Sequence, residues 1–210
     1  MDAAVLVLGC AAEVGAWWLV AARRMSVWAV MVPALVVMAA AVVAVRPPSL
    51  SPAVDLGVAA VGGIGAGVAL YLATRAFVFV VRGWGTFREQ SLAMYGRQAG
   101  VPKWIAVLLA AGVIASGEEL FWRGFVQPRF GEAFGARSAG AAVAWLVFVA
   151  ANLPSRNLAI VAGAVVGGAA WTGLALWTHG VLASLLCHGV WTALMVTFPV
   201  VRAPTGGARA

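Results

Sequence analysis

Ser116-Gly-Glu-Glu-Leu-Phe-Trp-Arg-Gly-Phe-Val-Gln127 lies inside an apolar run that begins at Trp104, and the reading of this stretch decides the fold. Two adjacent carboxylates, Glu118 and Glu119, and one guanidinium, Arg123, interrupt a segment otherwise suited to hydrocarbon. An ionisable side chain held inside a bilayer costs roughly 3 kcal/mol or more, so such groups face a bundle interior and mark function. The remainder of the chain reads as the container for these three charges.

The composition agrees. Of 210 residues, 63% are hydrophobic and only 10% are charged, with a mean hydropathy of +0.98. A water-soluble surface needs far more charge than that. The fold class expected is therefore all-α, a polytopic transmembrane helix bundle of about seven spans, because helices satisfy their own backbone hydrogen bonds in lipid. The net charge of +7 does not indicate nucleic acid as a partner. Its basic residues gather in short hydrophilic breaks, as they do at the ends of membrane helices. Cys10 and Cys187 both fall in apolar spans, which argues against a disulfide framework. The N-terminus, Met1-Asp2, is acidic and lacks a small-residue cleavage site, so its apolar run reads as a retained span.

The polar breaks mark out the spans. Residues 3–22 end at Arg23-Arg24 with Glu13 in their middle, and residues 26–45 close at Arg46-Pro-Pro. The third span covers 56–81 and carries Gly63 and Gly67, a pair that permits close helix approach. Arg75 near its end is expected to snorkel or to pair with an internal acid such as Glu13. Residues 82–103 are the longest polar stretch, mixing Arg82, Arg88, Arg97 and Lys103 with Trp84, Phe87, Met94 and Tyr95. That mixture fits an interfacial segment, or a plain cytoplasmic connector. The fourth span starts at Trp104. The fifth covers 138–153, and the sixth covers 158–177 with a second close-packing pair at Gly163 and Gly167. A turn at His179-Gly180 introduces a seventh span, running to 201, and 202–210 form a polar tail. The organisation expected is N-terminal helices and connector over 1–103, a catalytic core over 104–201, and the tail.

Lys and Arg in alternate loops number nine on one side (Arg23, Arg24, Arg82, Arg88, Arg97, Lys103, Arg156, Arg202 and Arg209) and three on the other (Arg46, Arg129 and Arg137). The positive-inside rule then places the C-terminus in the cytoplasm. The Ala-, Gly-, Val- and Arg-rich composition points to a bacterial inner membrane as the location.

On a helix, Glu119 and Arg123 are four apart and share a face, so they can pair. Glu118 is rotated by about 100° onto a neighbouring face with Trp122. One carboxylate is neutralised by the arginine and the other is left free in low dielectric, where it can serve as a general base. The bland alternative is a buried structural salt bridge with a spare acid. Phe148 and Asn152 are one turn apart in the fifth span, and His188 and Thr192 one turn apart in the seventh. Glu118 lies 17 residues before Gly135, at the tip of the hairpin between the fourth and fifth spans, and Asn152 lies 17 after it. The two are therefore expected to meet at one level. His179 and His188 are nine residues apart, half a turn out of phase on one helix, which disfavours a metal site using both. Ser184 reads as a hydroxyl bonded back to its own helix rather than a nucleophile, and Cys187 as packing.

Glu118-Glu119-x-x-x-Arg123, Phe148-x-x-x-Asn152 and His188-x-x-x-Thr192 together resemble the three motifs of the CPBP family. These are the CAAX-protease and bacteriocin-processing intramembrane endopeptidases, also called type II CAAX or Abi proteins. The similarity spans roughly residues 104–198. It implies an endopeptidase that cleaves a membrane-anchored protein or peptide near its C-terminus within the lipid bilayer. Glu118 would activate water, supported by Glu119 and Arg123. Asn152, His188, Phe148 and Thr192 would hold the water, substrate or oxyanion. The family usually has histidine at the position of Asn152 and often asparagine at that of Thr192. Losing that histidine removes a candidate metal ligand, so the expectation is catalysis without a cofactor, a divalent metal being the alternative. Two other readings share the resemblance: a myxosortase-like C-terminal sorting protease, and a non-catalytic membrane binding or immunity protein. A proton-relay transporter would want internal repeats, and none is visible.

Overall fold

A computed structural model describes residues 1–97 and 100–201; the polar tail expected at 202–210 lies outside the described residues. The described chain is helical and without strands. In order, the helices are α1 (Asp2–Ala22), α2 (Val27–Val45), α3 (Leu56–Val80), α4 (Gly85–Arg97), α5 (Lys103–Ala133), α6 (Arg137–Asn152), α7 (Leu158–Thr178) and α8 (Leu182–Thr197). Six of the spans are long and apolar enough to cross a membrane, and α8 is a shorter apolar helix. With α8 counted, the expected number of about seven spans holds. The protein is an integral membrane protein.

Burial is inverted relative to a soluble bundle. Val37, Val61 and Val80 are 68%, 73% and 78% exposed on the outside, whereas Glu13 and Glu119 are fully enclosed. Apolar side chains facing lipid lose nothing by exposure, and the few charges gather where partners can satisfy them.

Helix contacts track the small residues. A Cβ added at Gly63 would lie 2.5 Å from the Ala183 carbonyl oxygen, and one at Gly67 would lie 2.7 Å from that of Cys187. The expected close approach is therefore the crossing of α3 on α8. Gly163 and Gly167 behave differently from expectation: they make room for the indoles of Trp191 and Trp171 rather than for another backbone. In the hairpin of α5 and α6, Gly140 packs against the backbone of Gly131.

Residues 82–103 contain α4, which is docked on one end of the bundle. Its Phe87 and Ser91 are buried. The Gln90 Oε1 accepts from the Leu158 N–H at 2.7 Å, and the Gln90 carbonyl accepts from Asn157 Nδ2 at 2.8 Å. This helix thus satisfies one orphan N–H at the start of α7 and holds the side chain of its N-cap, Asn157. His179-Gly180 is a true turn: α7 ends at Thr178 and His179 takes a left-handed conformation with φ 56°.

The long helix α5 is not uniform. It widens into π-helical turns at Leu108–Ile114 and again at Trp122–Val126. The Ser116 hydroxyl donates to the Ala111 carbonyl, five residues back, at 3.4 Å. Such insertions rotate every later residue of the helix and concentrate at functional sites. The two here bracket Glu118 and Glu119.

Candidate active site

Four helices bring their polar residues to the level of Glu118. α5 supplies Glu118, Glu119, Trp122 and Arg123, α6 supplies Phe148 and Asn152, α8 supplies His188 and Thr192, and α1 supplies Glu13. All except Thr192 are buried, and the Thr192 hydroxyl oxygen is itself enclosed.

Glu119 is the best-held carboxylate. Its Oε1 lies 3.2 Å from Arg123 Nη1 and 3.0 Å from His188 Nδ1. The expected pairing within α5 therefore forms, and it extends to α8. Arg123 is fixed on its other side as well, donating from Nη2 to the Gly168 carbonyl at 3.2 Å. Its guanidinium lies 4.4 Å from the Phe148 ring centroid and 5.3 Å from that of Trp171. Two aromatic faces thus attract a cation that has left water. Phe148 of the second motif is placed as a platform for Arg123.

His188 is gripped between groups. Its ring stacks on Trp171 with centroids 3.5 Å apart and planes 14° apart. With Nδ1 turned to the Glu119 carboxylate, Nδ1 carries the proton and donates it, and Nε2 presents its lone pair. That Nε2 faces Glu118 Oε2 across 3.8 Å, too long for a direct hydrogen bond. Glu118 accepts no hydrogen bond from any described residue and keeps 6% exposure, against none for Glu119. The two adjacent acids have separated into one that is bound and one that is available.

Asn152 departs from expectation. Its amide does not meet Glu118; Nδ2 donates to Glu13 Oε1 at 3.3 Å and to the Phe148 carbonyl at 2.9 Å. The reason is α1, which packs along α6 and inserts Glu13 at this level. Both amide hydrogens are committed, so Asn152 presents only its carbonyl oxygen to anything further. It is an acceptor here, not the donor that an oxyanion needs. The expected pairing of Glu13 with Arg75 does not form either. Arg75 is exposed, 5.9 Å from the Tyr71 ring, while Glu13 Oε2 accepts from Trp122 Nε1 at 2.6 Å.

Glu13, Trp122 and Trp171 are the members of this cluster that sequence reasoning does not place in the site. An isolated acid in the middle of a span, with no cation within a turn, is the available signal for Glu13. Trp171 carries none beyond being an aromatic residue in an apolar helix. Ser184 bonds back to the Val181 carbonyl at 3.0 Å, as expected. Cys187 is a free thiol in the core. His179 is turned to Arg137 Nη1 at 2.9 Å, away from His188. Among the described residues, no three His, Cys, Asp or Glu side chains form a ligand set for a metal ion. Thr192 Oγ1 and Glu119 Oε2 are buried without a hydrogen-bond partner.

Comparison with known proteins agrees with this arrangement. Residues 100–194 match the family described as type II CAAX prenyl endopeptidase Rce1-like. No curated protein and no solved structure gives a match. The matched segment runs from the approach to α5 into α8 and carries Glu118, Glu119, Arg123, Asn152, His188 and Thr192. Over that segment the chain is similar to the Rce1-like type II CAAX prenyl endopeptidases, a family of intramembrane proteases.

Proposed function

We propose that this protein is an intramembrane endopeptidase that hydrolyses a peptide bond near the C-terminus of a membrane-anchored protein, with Glu118 as the general base. The observation that carries the reading is the division of labour between the two acids. Glu119 is consumed by Arg123 and His188, whereas Glu118 faces His188 Nε2 across 3.8 Å with neither group bonded to the other. One water can sit within hydrogen-bond distance of both acceptors.

Glu118 takes a proton from that water as its oxygen attacks the peptide carbonyl carbon. The proton then passes to the leaving amine nitrogen as the C–N bond breaks, giving a carboxylic acid and a free amine. His188, oriented by Glu119, holds the water's second hydrogen. The developing oxyanion needs a donor, and the unpartnered hydroxyl of Thr192 supplies it. Glu13 acts at one remove by locking Asn152 through its amide hydrogens, so that Asn152 presents its carbonyl oxygen toward the cluster. Carboxylate activation of water with these donors needs no cofactor. The surplus of basic residues at the end bearing α4 supports an orientation with that end in the cytoplasm. The composition supports a bacterial inner membrane as the location.

The test is Glu118→Gln, which keeps shape and removes the base. Processing of native membrane-anchored proteins should fall by about 10²–10⁴-fold, read as accumulation of the uncleaved form in membrane fractions. Unchanged processing would sink the proposal and favour a pocket that binds peptide without cutting it.

A further inference from the structure

Between Arg123 and the loops beyond α2 and α5 lies a cavity of about 580 Å³ that the proposed chemistry leaves unused. Arg123 and Gln127 line its inner part, and Arg46, Glu132, Arg137 and His179 line its rim. Gln127 is only 7% exposed. Its Nε2 donates to the Thr172 carbonyl at 3.4 Å, which leaves Oε1 as the free end, and that oxygen is buried without a partner. A buried amide oxygen without a donor is costly to maintain, which points to a donor that arrives with a ligand. A peptide N–H is the donor that an extended segment brings.

The rim has its own chemistry. Arg46 is neutralised by Glu132, which also takes Arg129. Arg137 has the His179 ring as its hydrogen-bond partner and no carboxylate among the described residues. It is the rim cation still able to receive an anionic group, and a guanidinium binds a carboxylate through paired N–H donors.

The cavity also has a side. Its rim lies at the end of the bundle where Asp2 meets Arg129 at 3.6 Å and the Val181 N–H donates to the Ser49 carbonyl at 3.0 Å. The N-terminus and the connections after α2, α5 and α7 all gather there. Arg23, Arg24, Arg82, Arg88, Lys103 and Arg156 lie at the opposite end. The excess of basic residues at that far end marks it as cytoplasmic, so the rim faces the other compartment.

We infer that this cavity is a peptide compartment, filled from the non-cytoplasmic face by an extended segment bearing a free carboxylate. Gln127 Oε1 accepts a backbone N–H, and Arg137 receives the carboxylate. The inference rests on the preceding reading only in calling that segment a substrate; it restricts substrates to chains whose cleaved region has been exported.

The experiment uses the full chain carrying Ala136→Cys at the exposed rim or Ser26→Cys at the exposed opposite end. Labelling of the parent, whose cysteines are Cys10 and Cys187, is subtracted. In intact cells a membrane-impermeant maleimide should label the Ala136→Cys protein, and should label the Ser26→Cys protein only after permeabilisation. The reverse pattern overturns the sidedness. Binding is then read in Ala136→Cys membranes that also carry Glu118→Gln, so that no cleavage is required. The probe is the peptide Ala-Ser-Ala-Ser-Ala with a free C-terminus, which should slow labelling, while the same peptide amidated should not. Gln127→Leu and the surface change Arg137→Gln should each weaken protection by about tenfold. Equal protection by the amidated peptide overturns the carboxylate assignment, and protection by neither peptide overturns the compartment. Failed protection with processing still dependent on Glu118 rejects the compartment alone; the opposite pair of results rejects the base alone.

Discussion

Glu13 accepts hydrogen bonds on both oxygens, from Trp122 and from Asn152. Glu13→Gln turns one of these into a donor facing a donor, which leaves a buried group unsatisfied at about 1–3 kcal/mol. Thermal unfolding in detergent should drop accordingly, and activity should drop with it as the Asn152 amide turns. Arg75→Ala should leave both unchanged, because Arg75 is exposed, lies over the Tyr71 ring and forms no ion pair among the described residues. Thr192→Val removes a hydroxyl that bonds nothing in the resting protein. It should therefore spare stability while lowering the cleavage rate by about 10²–10³-fold, the usual loss for one oxyanion donor. An effect of equal size on unfolding would remove Thr192 from the chemistry. These residues also show what a sequence can carry. Glu118, Glu119, Arg123 and His188 are legible because helical spacing puts them on defined faces. Glu13 is not, because a lone acid has no spacing to read and its partners come from helices distant in the chain.

Among the elements, α5 combines the most legible features with the least. A continuous apolar run with charges one turn apart predicts the helix and its internal ion pair, and both are present. The π turns on either side of the acids are invisible, since nothing in a local pattern marks where a helix takes in an extra residue. They matter because each resets the phase of the residues after it, and the level at which Asn152 and Glu118 are expected to meet assumes a regular helix. Small residues are easier to interpret where backbone faces backbone. Gly63 and Gly67 mark the crossing of α3 on α8, whereas Gly167 accommodates the indole of Trp171, one turn further along its own helix. The hairpin of α5 and α6 gives the cleanest test. Gly140→Ala forces a methyl group into the Gly131 backbone, which cannot swing aside, and should destabilise by about 1–3 kcal/mol. Gly65→Ala on α3, with open space around it, should be neutral or slightly stabilising by melting temperature.

Across the whole molecule, composition and polar breaks predict the number of spans but not their lengths. The apolar text between His179 and Val201 is long enough to cross a bilayer, yet α8 holds only 16 residues. At 1.5 Å per residue that is about 24 Å, short of a hydrocarbon core of about 30 Å. A short span is accommodated by thinning of the surrounding lipid or by drawing headgroups inward. The helix concerned carries His188 and Thr192, so the distortion falls beside the proposed water site. Hydrophobic mismatch then becomes part of how water reaches a base enclosed in an apolar bundle. Reconstituted into phosphatidylcholines of increasing acyl-chain length, the protein should cleave more slowly as the bilayer thickens, with its fold unchanged by circular dichroism. A rate indifferent to chain length would remove the short α8 from the route by which water arrives. On the first outcome, bilayer thickness itself sets the rate of hydrolysis, and the same chain works fastest where the membrane is thinnest.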